Sequence, residues 1–312
     1  MIQRAEVLKL PVALPLEAGG LLVDAEVAME AYGHPSPDKA LVLLHDFTDS
    51  HHALESWGKS LIGRGKPIDP AQYWLVSLNL LGSPYGSTSA AMLQGHEEPY
   101  GFTVEDMARA AASAMRVLGV KKPRVVCGIG LGGMVALKMA ATFPDLVAGV
   151  LTLGTAPALP KAVRELLTIT WAHHRAGTLK KARVEFLRRS HDRHALIKRF
   201  GDNAAVEAFL NGQADAFMLD FDARCYASLA QAYGGADLSD ALEKITCRAL
   251  LVAGSPDELA PATRVRDAYH RIAGAGAKAR FYEIPSEGGH ADLLTEVARI
   301  KGPVREFLTS LD

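Results

Sequence analysis

The chain has 312 residues, 49% of them hydrophobic and 22% charged, with a formal net charge of −1 at pH 7. No run reaches the roughly 18–20 consecutive apolar residues of a membrane span, and the chain is too apolar and too evenly charged to be disordered. The neutral balance gives no electrostatic footprint for nucleic acid. Cys127, Cys225 and Cys247 are far apart and lack CxxC spacing, so neither a disulfide framework nor a zinc site is expected. The N-terminus shows no apolar segment followed by a small-residue cleavage site. The expectation is a soluble cytoplasmic protein with one large core or two, without a nucleic-acid or membrane partner.

In chain order, Glu6–Leu14 and Ala25–Ala31 alternate roughly and predict edge or hairpin strands. Ala40–Leu44 is a short apolar run opening into the polar loop His45-Asp46-Phe47-Thr48-Asp49, and Tyr73–Leu80 is a further strand. Thr103–Leu118 predicts a helix: Thr103 can cap it, Glu105 and Asp106 sit in its first turn, and Met107, Ala111, Met115 and Leu118 share one face. Val125–Cys127 and Leu146–Leu153 predict buried strands, with the small-residue helix Leu131–Ala141 between them. From Pro157 to about Asp240 the periodicity is helical throughout. Then come strand Ala249–Ala253, helix Pro261–Ile272, strand Ala279–Ile284 and a last helix from about Asp292 to Leu308. The pattern predicts an α/β protein: a mostly parallel central sheet, helices on both faces and a helical lid insertion. Residues 1–156 and 241–312 would form the core, and 157–240 the lid.

Gly128-Ile129-Gly130-Leu131-Gly132-Gly133 joins a buried strand to a helix. It satisfies the dinucleotide fingerprint GxGxxG literally, but several strands precede it and no carboxylate ends the next strand, Leu151-Thr152-Leu153-Gly154-Thr155. The alternative is a nucleophile elbow, GxSxG, with Gly130 where serine would stand. What lies downstream fits the elbow's acid-then-histidine order. Asp257 follows the strand Ala249–Ala253, and His290 follows Ala279–Ile284 in Pro285-Ser286-Glu287-Gly288-Gly289-His290. Asp257 would orient His290, and His290 would act as general base. Oxyanion donors would be the backbone N–H groups of Leu131 and of the loop after Ala40–Leu44, at Phe47.

With these motifs placed, the sequence resembles the homoserine O-acetyltransferase family of α/β-hydrolase-fold acyltransferases over nearly the whole chain. His45-Asp46-Phe47-Thr48-Asp49 is similar to that family's His-Ala-Leu-Thr-Gly oxyanion loop. Trp57 to Ser87 is similar throughout, as in Leu61-Ile62-Gly63-Arg64-Gly65-Lys66-Pro67-Ile68-Asp69 and Asn79-Leu80-Leu81-Gly82. So are Gly132-Gly133-Met134, Phe221-Asp222-Ala223 to Tyr226, Asp257-Glu258-Leu259-Ala260-Pro261 and Gly289-His290.

The resemblance implies a ping-pong enzyme: a serine takes an acyl group from an acyl-CoA and passes it to an amino alcohol. The implied co-substrate is an acyl-CoA, with no bound cofactor. The implied partners are a small-molecule substrate and a second copy of the chain, joined through lid helices. Ser87, Arg175, Tyr226 and Asp292 are the substrate-binding candidates. Three departures argue against homoserine as acceptor. Gly130 stands at the nucleophile position, Ala291 replaces the aspartate after the histidine (Asp292 is one residue on), and Asp220 replaces the arginine before Phe-Asp.

Gly130 is then either an engineered replacement of serine or a natural departure. If natural, His290 and Asp257 would run acid/base chemistry without a covalent step there. The contrary reading is an inactive binding or scaffold protein on the same fold. A serine restored at position 130 is expected to complete a nucleophile that a fluorophosphonate labels. Cys127, in the preceding strand, is expected to pack as a small hydrophobe.

The lid is basic over His173–Phe200, including Arg175, Arg183 and Arg188, and acidic over Gly201–Ala223. Two oppositely charged helices facing each other or solvent are expected, against the alternative of a cationic mouth for an anionic ligand. No metal is expected at His51-His52 or His173-His174, because adjacent residues of a helix or strand diverge.

Overall fold

The computed structural model describes residues 4–57, 61–93, 101–285, 287–293 and 296–311. The chain opens with β1 (Arg4–Lys9), the short pair β2 (Leu14–Pro15) and β3 (Leu21–Leu22), and β4 (Glu26–Tyr32). β5 (Ala40–Leu44) leads to a single helical turn, α1 (Ala53–Ser56), and then β6 (Trp74–Leu78). α2 (Val104–Val117) starts at a capping box: Thr103 Oγ1 accepts from Asp106 N, and the Asp106 carboxylate accepts from Thr103 N. β7 (Val125–Ile129), α3 (Gly130–Thr142) and β8 (Gly149–Leu153) follow. After the lid come β9 (Arg248–Ser255), a helix at Ala262–Gly274, β10 (Ala279–Pro285) and a helix at Lys301–Thr309.

Eight strands form one sheet in the order β1-β4-β6-β5-β7-β8-β9-β10. Pairing is parallel from β6 through β10, while β1 and β4 join antiparallel at one edge. Every residue of β5, β6, β7 and β8 is buried, as expected of strands covered on both faces. Successive side chains alternate between two cores. Val42, Leu44, Val76, Val126 and Val150 pack with Met107, Met115, Met134 and Val265 on one face. Leu41, Leu43, Leu75, Val125, Cys127 and Leu151 pack with Trp57, Val304 and Phe307 on the other. Cys127 is fully buried, and burial pushes its thiol pKa up, as befits a packing residue.

Between β8 and β9 lie six helices: α4 (Lys161–Thr168), α5 (Thr170–Arg175), α6 (Leu179–Ser190), α7 (Arg193–Phe200), α8 (Asn203–Asp220) and α9 (Ala223–Gly235). Asp192, Asp202 and Asp222 cap α7, α8 and α9 with their carboxylates. Val184, Leu187, Leu196, Val206, Leu210 and Ala214 form a small core of their own among α6, α7 and α8. The opposite charges of the segment face each other: Lys180 pairs with Asp215 at 2.6 Å and Arg188 with Glu207 at 2.9 Å. The helices after β9 are α10 (Ala262–Gly274) and α11 (Lys301–Thr309).

The last helix differs from expectation. It begins at Lys301 rather than near Asp292, after two 3₁₀ turns at His290–Asp292 and Glu296–Ile300. Pro303 lies in its first turn; a proline ring clashes with the carbonyl four residues back, so an α-helix cannot run through it from further upstream.

Two glycines fix the β7–α3 junction. A Cβ on Gly128 would lie 2.2 Å from Gly132 O, and one on Gly132 would lie 2.3 Å from His45 O; both obstacles are backbone. Gly128→Ala and Gly132→Ala are each expected to lose about 1–3 kcal/mol or more through overpacking. Gly212, exposed in α8 with open space around it, is the control. Gly212→Ala is expected to gain about 0.5–1 kcal/mol. Urea denaturation of the three variants reads both signs.

Candidate active site

β5 is flanked by β6 on one side and β7 on the other, so the chain reverses its direction of travel across the sheet at β5. Open α/β sheets build their sites at such a point, outside the carboxyl ends of the strands. The loops after β5, β7, β9 and β10 bring Asp46, Gly130, Asp257 and His290 there.

His45 sets the direction of the first loop. Leu80 N–H donates to His45 Nε2 at 2.9 Å, so Nε2 must be the acceptor and Nδ1 the protonated nitrogen. His45 Nδ1 therefore donates to Asp46 O at 2.7 Å. Burial lowers the His45 pKa to about 4, which keeps the ring neutral in this role. The Asp46 backbone is thus clamped and its carboxylate is aimed at the β7–α3 turn.

Gly130 begins α3 with φ +49°, a left-handed conformation that glycine adopts at little cost. A Cβ built on Gly130 would lie 1.8 Å from Asp46 Oδ1 and 2.5 Å from Asp46 Cγ. The Asp46 carboxylate therefore occupies the volume that a side chain at 130 would need. Its Oδ1 accepts from Leu131 N at 3.0 Å, and the Phe47 amide also supports it. Leu131 and Phe47 are the two expected oxyanion donors, and they already serve an anion carried by the protein.

His290 lies between two carboxylates. Its Nδ1 donates to Asp257 Oδ2 at 2.7 Å, and its Nε2 lies 3.5 Å from Asp46 Oδ2. Asp257 is fixed in turn, its Oδ1 accepting from Leu259 N and Ala260 N at 2.8 Å each. Burial alone would strip the proton from His290. Asp257 and then Asp46 outweigh it and hold the imidazole well above its ordinary pKa. Burial would likewise raise Asp46, but His290 and the Phe47 and Leu131 amides leave it below the usual carboxylate range. The resting site is a carboxylate–imidazolium–carboxylate chain.

The lid closes over this chain. Phe47 packs on Phe186 of α6 and on Tyr226 and Tyr233 of α9, with centroids 5.2, 5.2 and 5.7 Å away. Arg183 of α6 is buried, and its guanidinium carbon stands 4.1 Å from the centre of the Phe217 ring. Arg183 Nε and Nη1 and the Tyr226 hydroxyl are buried without a well-formed hydrogen bond among the described residues, and the guanidinium and the hydroxyl face each other at close range. Asp46 and Asp49 both lie within the guanidinium's field. Burial, then the charge of Asp46, pushes the Asp49 carboxyl up to about 7. The lid also grips the histidine loop: Asp192 N donates to Gly288 O at 3.0 Å, and Lys198 pairs with Glu287.

Gly130, Leu131, Phe47, Asp257, His290 and Tyr226 therefore converge. Ser87 does not join them through its hydroxyl, which donates to Asn79 O and accepts from Ala28 N. Arg175 ends α5 exposed, and the inward-facing lid arginine is Arg183 instead. Asp292 lies in the 3₁₀ turn after Gly289, and its side chain falls outside the described residues. The pattern argument against His51-His52 also fails. Their rings are 4.7 Å apart, because the pair sits in a loop rather than a regular element. Together with Glu30, their ligand atoms lie within 4.8 Å of one another. Glu30 already accepts from His52 Nδ1 and from the Tyr32 hydroxyl.

Asp46, Asp49 and Arg183 are the members the sequence did not single out. The available signal was paired: Asp46 is a carboxylate in the polar loop just after β5, and Gly130 is a residue without a side chain in the turn after β7. A cavity outside this site lies between Leu16–Gly19, the start of α2 and the end of α9.

Residues 39–297 match the family described as alpha/beta hydrolase fold, and the chain belongs to that family. Within it the chain is homoserine/serine O-acyltransferase-like. It is 29% identical to a homoserine O-acetyltransferase of Zymomonas mobilis, covering 96% of this chain and 95% of that protein. It is 29% identical to a serine O-succinyltransferase of Litchfieldella anticariensis, covering 96% and 97%. The solved homoserine O-acetyltransferase of Bacillus anthracis superposes with a TM-score of 0.88 at 21% identity, covering 99% of this chain and 98% of that one. No helix among the described residues is long and apolar enough to cross a membrane.

Restoring serine alone is now expected to fail. In Gly130→Ser the new side chain displaces Asp46 from Leu131 N and His290, and serine bears the positive φ, at a combined cost of about 2–4 kcal/mol. Asp46→Ala/Gly130→Ser should recover much of that loss and be labelled by a fluorophosphonate where the single variant is labelled poorly. Denaturation of the full double-mutant cycle reads the coupling.

Asp49 gives a pH signature. Its folded pKa of about 7 exceeds the unfolded 3.8, so the folded state keeps a proton that the unfolded chain releases. Its contribution is fully present below pH 4 and is lost as pH rises toward 7. Asp49→Asn is expected to flatten this fall, gaining on wild type between pH 4 and 7 and holding the gain above. Thermal melts across that range check it.

Proposed function

We propose that the protein is an enzyme in which Gly130 stands at the nucleophile position, so that no seryl acyl-enzyme forms there. Its chemistry is run by His290 and Asp257 on a small molecule bound under the lid, and homoserine is not its acceptor. The observation that carries this reading is the Asp257–His290–Asp46 chain, 2.7 Å and 3.5 Å in its two links, with both carboxylates fixed by backbone amides. A scaffold has no need to hold a buried imidazolium against two carboxylates, because burying such groups is costly. An acyl-CoA is not required as co-substrate, since Leu131 N, which would receive a thioester oxygen, is occupied by Asp46 Oδ1. The buried guanidinium of Arg183, whose Nε and Nη1 make no well-formed hydrogen bond among the described residues, favours a substrate with an electronegative oxygen or acidic group directed at α6.

One observation also supports the inactive reading: a carboxylate seated on the oxyanion donors plugs the hole a hydrolase uses. The two are separated with a panel of small esters, lactones and other electrophiles. In an enzyme, His290→Ala is expected to lower turnover by on the order of 10²–10⁴-fold, and Asp257→Asn by a smaller factor, with the fold intact by circular dichroism. Ligands that raise the melting temperature while no panel member turns over would favour the binding protein.

A further inference from the structure

We propose that Asp46 is itself the nucleophile, and that its Oδ2 opens a small epoxide. The inference rests on the reading that the His290 centre is active, and it adds a covalent step and a substrate class to it.

Three placements lead there. First, Asp46 fills the volume of a side chain at position 130, the point where an α/β-hydrolase presents its attacking atom. Carboxylates serve as covalent nucleophiles in other enzymes. Second, the two carboxylate oxygens are in different surroundings. Oδ1 is bound to Leu131 N, while Oδ2 faces His290 Nε2. The Asp46 side chain keeps 21% of its surface exposed. Third, the amides that hold Oδ1 cannot also hold a substrate carbonyl oxygen. The carbonyl they can polarise is the Cγ–Oδ1 bond of Asp46, once Oδ2 has become an ester oxygen. A first step that needs no oxyanion hole is displacement at an sp³ carbon.

The proton inventory selects the leaving group. His290 Nε2 stands 3.5 Å from Oδ2, and Asp49 and Arg183 lie close enough to Asp46 for their charges to interact. A halide leaves without a proton, whereas the oxygen of an opening epoxide needs one. The aromatic wall of Phe47, Phe186, Tyr226 and Phe217 suits a compact apolar substituent.

The steps balance. Oδ2 attacks one ring carbon, the ring C–O bond breaks with its electron pair moving to oxygen, and that oxygen takes the proton of His290. The products are a β-hydroxyalkyl ester of Asp46 and a neutral imidazole. Esterification removes one of the two charges that held the proton on His290, so the same residue now serves as base, oriented by Asp257. Water adds to Cγ and gives its proton to His290, and the new charge falls on Oδ1 against Leu131 N and Phe47 N. Collapse expels the alkoxide, which takes the proton of His290. The Asp46 acid returns its own proton to His290, restoring the resting pair. The sum is epoxide plus water giving a 1,2-diol.

The test uses the full chain in excess over styrene oxide in oxygen-18 water. The expected result is a diol whose oxygens are unlabelled in the first turnover, with oxygen-18 in the peptide carrying Asp46. In His290→Gln both ring opening and hydrolysis should slow, so diol formation falls by on the order of 10²–10⁴-fold and the ester that does form persists, adding the mass of one epoxide to that peptide. Asp46→Asn, nearly isosteric, should lose diol formation by on the order of 10³-fold or more. Absence of both diol and adduct overturns the proposal, as does a diol labelled directly from water. Turnover of a bromoalkane without any epoxide overturns the substrate class. If an ester is hydrolysed with dependence on His290 but not on Asp46, this inference falls while the proposed function stands. If no panel member shows dependence on His290, both fall.

Discussion

The site depends on one exclusion. The volume beside the α-carbon of residue 130 holds either a side chain of that residue or the carboxylate of Asp46, and here it holds the carboxylate. The second carboxylate beside His290, after that of Asp257, and the occupation of the oxyanion amides both follow from it, and glycine, lacking a Cβ, bears the φ of +49° at this point. A carboxylate brought this close to a buried imidazole must be matched by a proton, because an isolated charge in that position would cost several kcal/mol. The match offsets one of the two negative charges, and it ties the acid or base character of His290 to the charge on Asp46.

Holding that geometry falls to close backbone contacts. Gly128 and Gly132 let α3 approach β5 more closely than any side chain allows, bringing Leu131 N to the end of the β5 loop. His45 turns that loop with a single neutral tautomer. On the opposite side, Gly289 lies so near α6 and α7 that a Cβ would be 2.7 Å from Asp192 N. The lid therefore positions the histidine as well as covering it. A lid that moved as a whole would carry His290 with it, unless the contact from Asp192 N to Gly288 O broke first.

The sheet and its order of strands were legible because continuous apolar runs ending in polar loops have few alternatives in a doubly covered sheet. Ala40–Leu44 and Ala249–Ala253 are such runs, and Asp257 and His290 were legible as the polar residues just beyond strand ends. The start of the last helix was not, because an apolar period extends upstream of Pro303 while the proline disfavours α-helix there. Arg183 was hidden because a basic helix facing an acidic one reads as surface pairing. That holds for Lys180 and Arg188, but α6 also turns one arginine inward beside Phe217. Asp46 was in view but unassigned, since a carboxylate in an oxyanion loop means something only once its distance to residue 130 is known.

Scaffold and chemistry separate at this point. Identity of 29% with a homoserine O-acetyltransferase over almost the whole chain speaks for the scaffold, whereas two side-chain positions, 46 and 130, decide what this centre can do. The two positions are not independent. Aspartate at 46 beside a serine at 130 would clash, and glycine at 130 beside an alanine at 46 would leave the Leu131 amide without its partner and His290 with one carboxylate fewer. Only the pair satisfies volume, hydrogen bonding and charge together. A pair so matched behaves as one functional unit, and it is satisfied best when the carboxylate, in the place of a hydroxyl, is the group that meets the substrate.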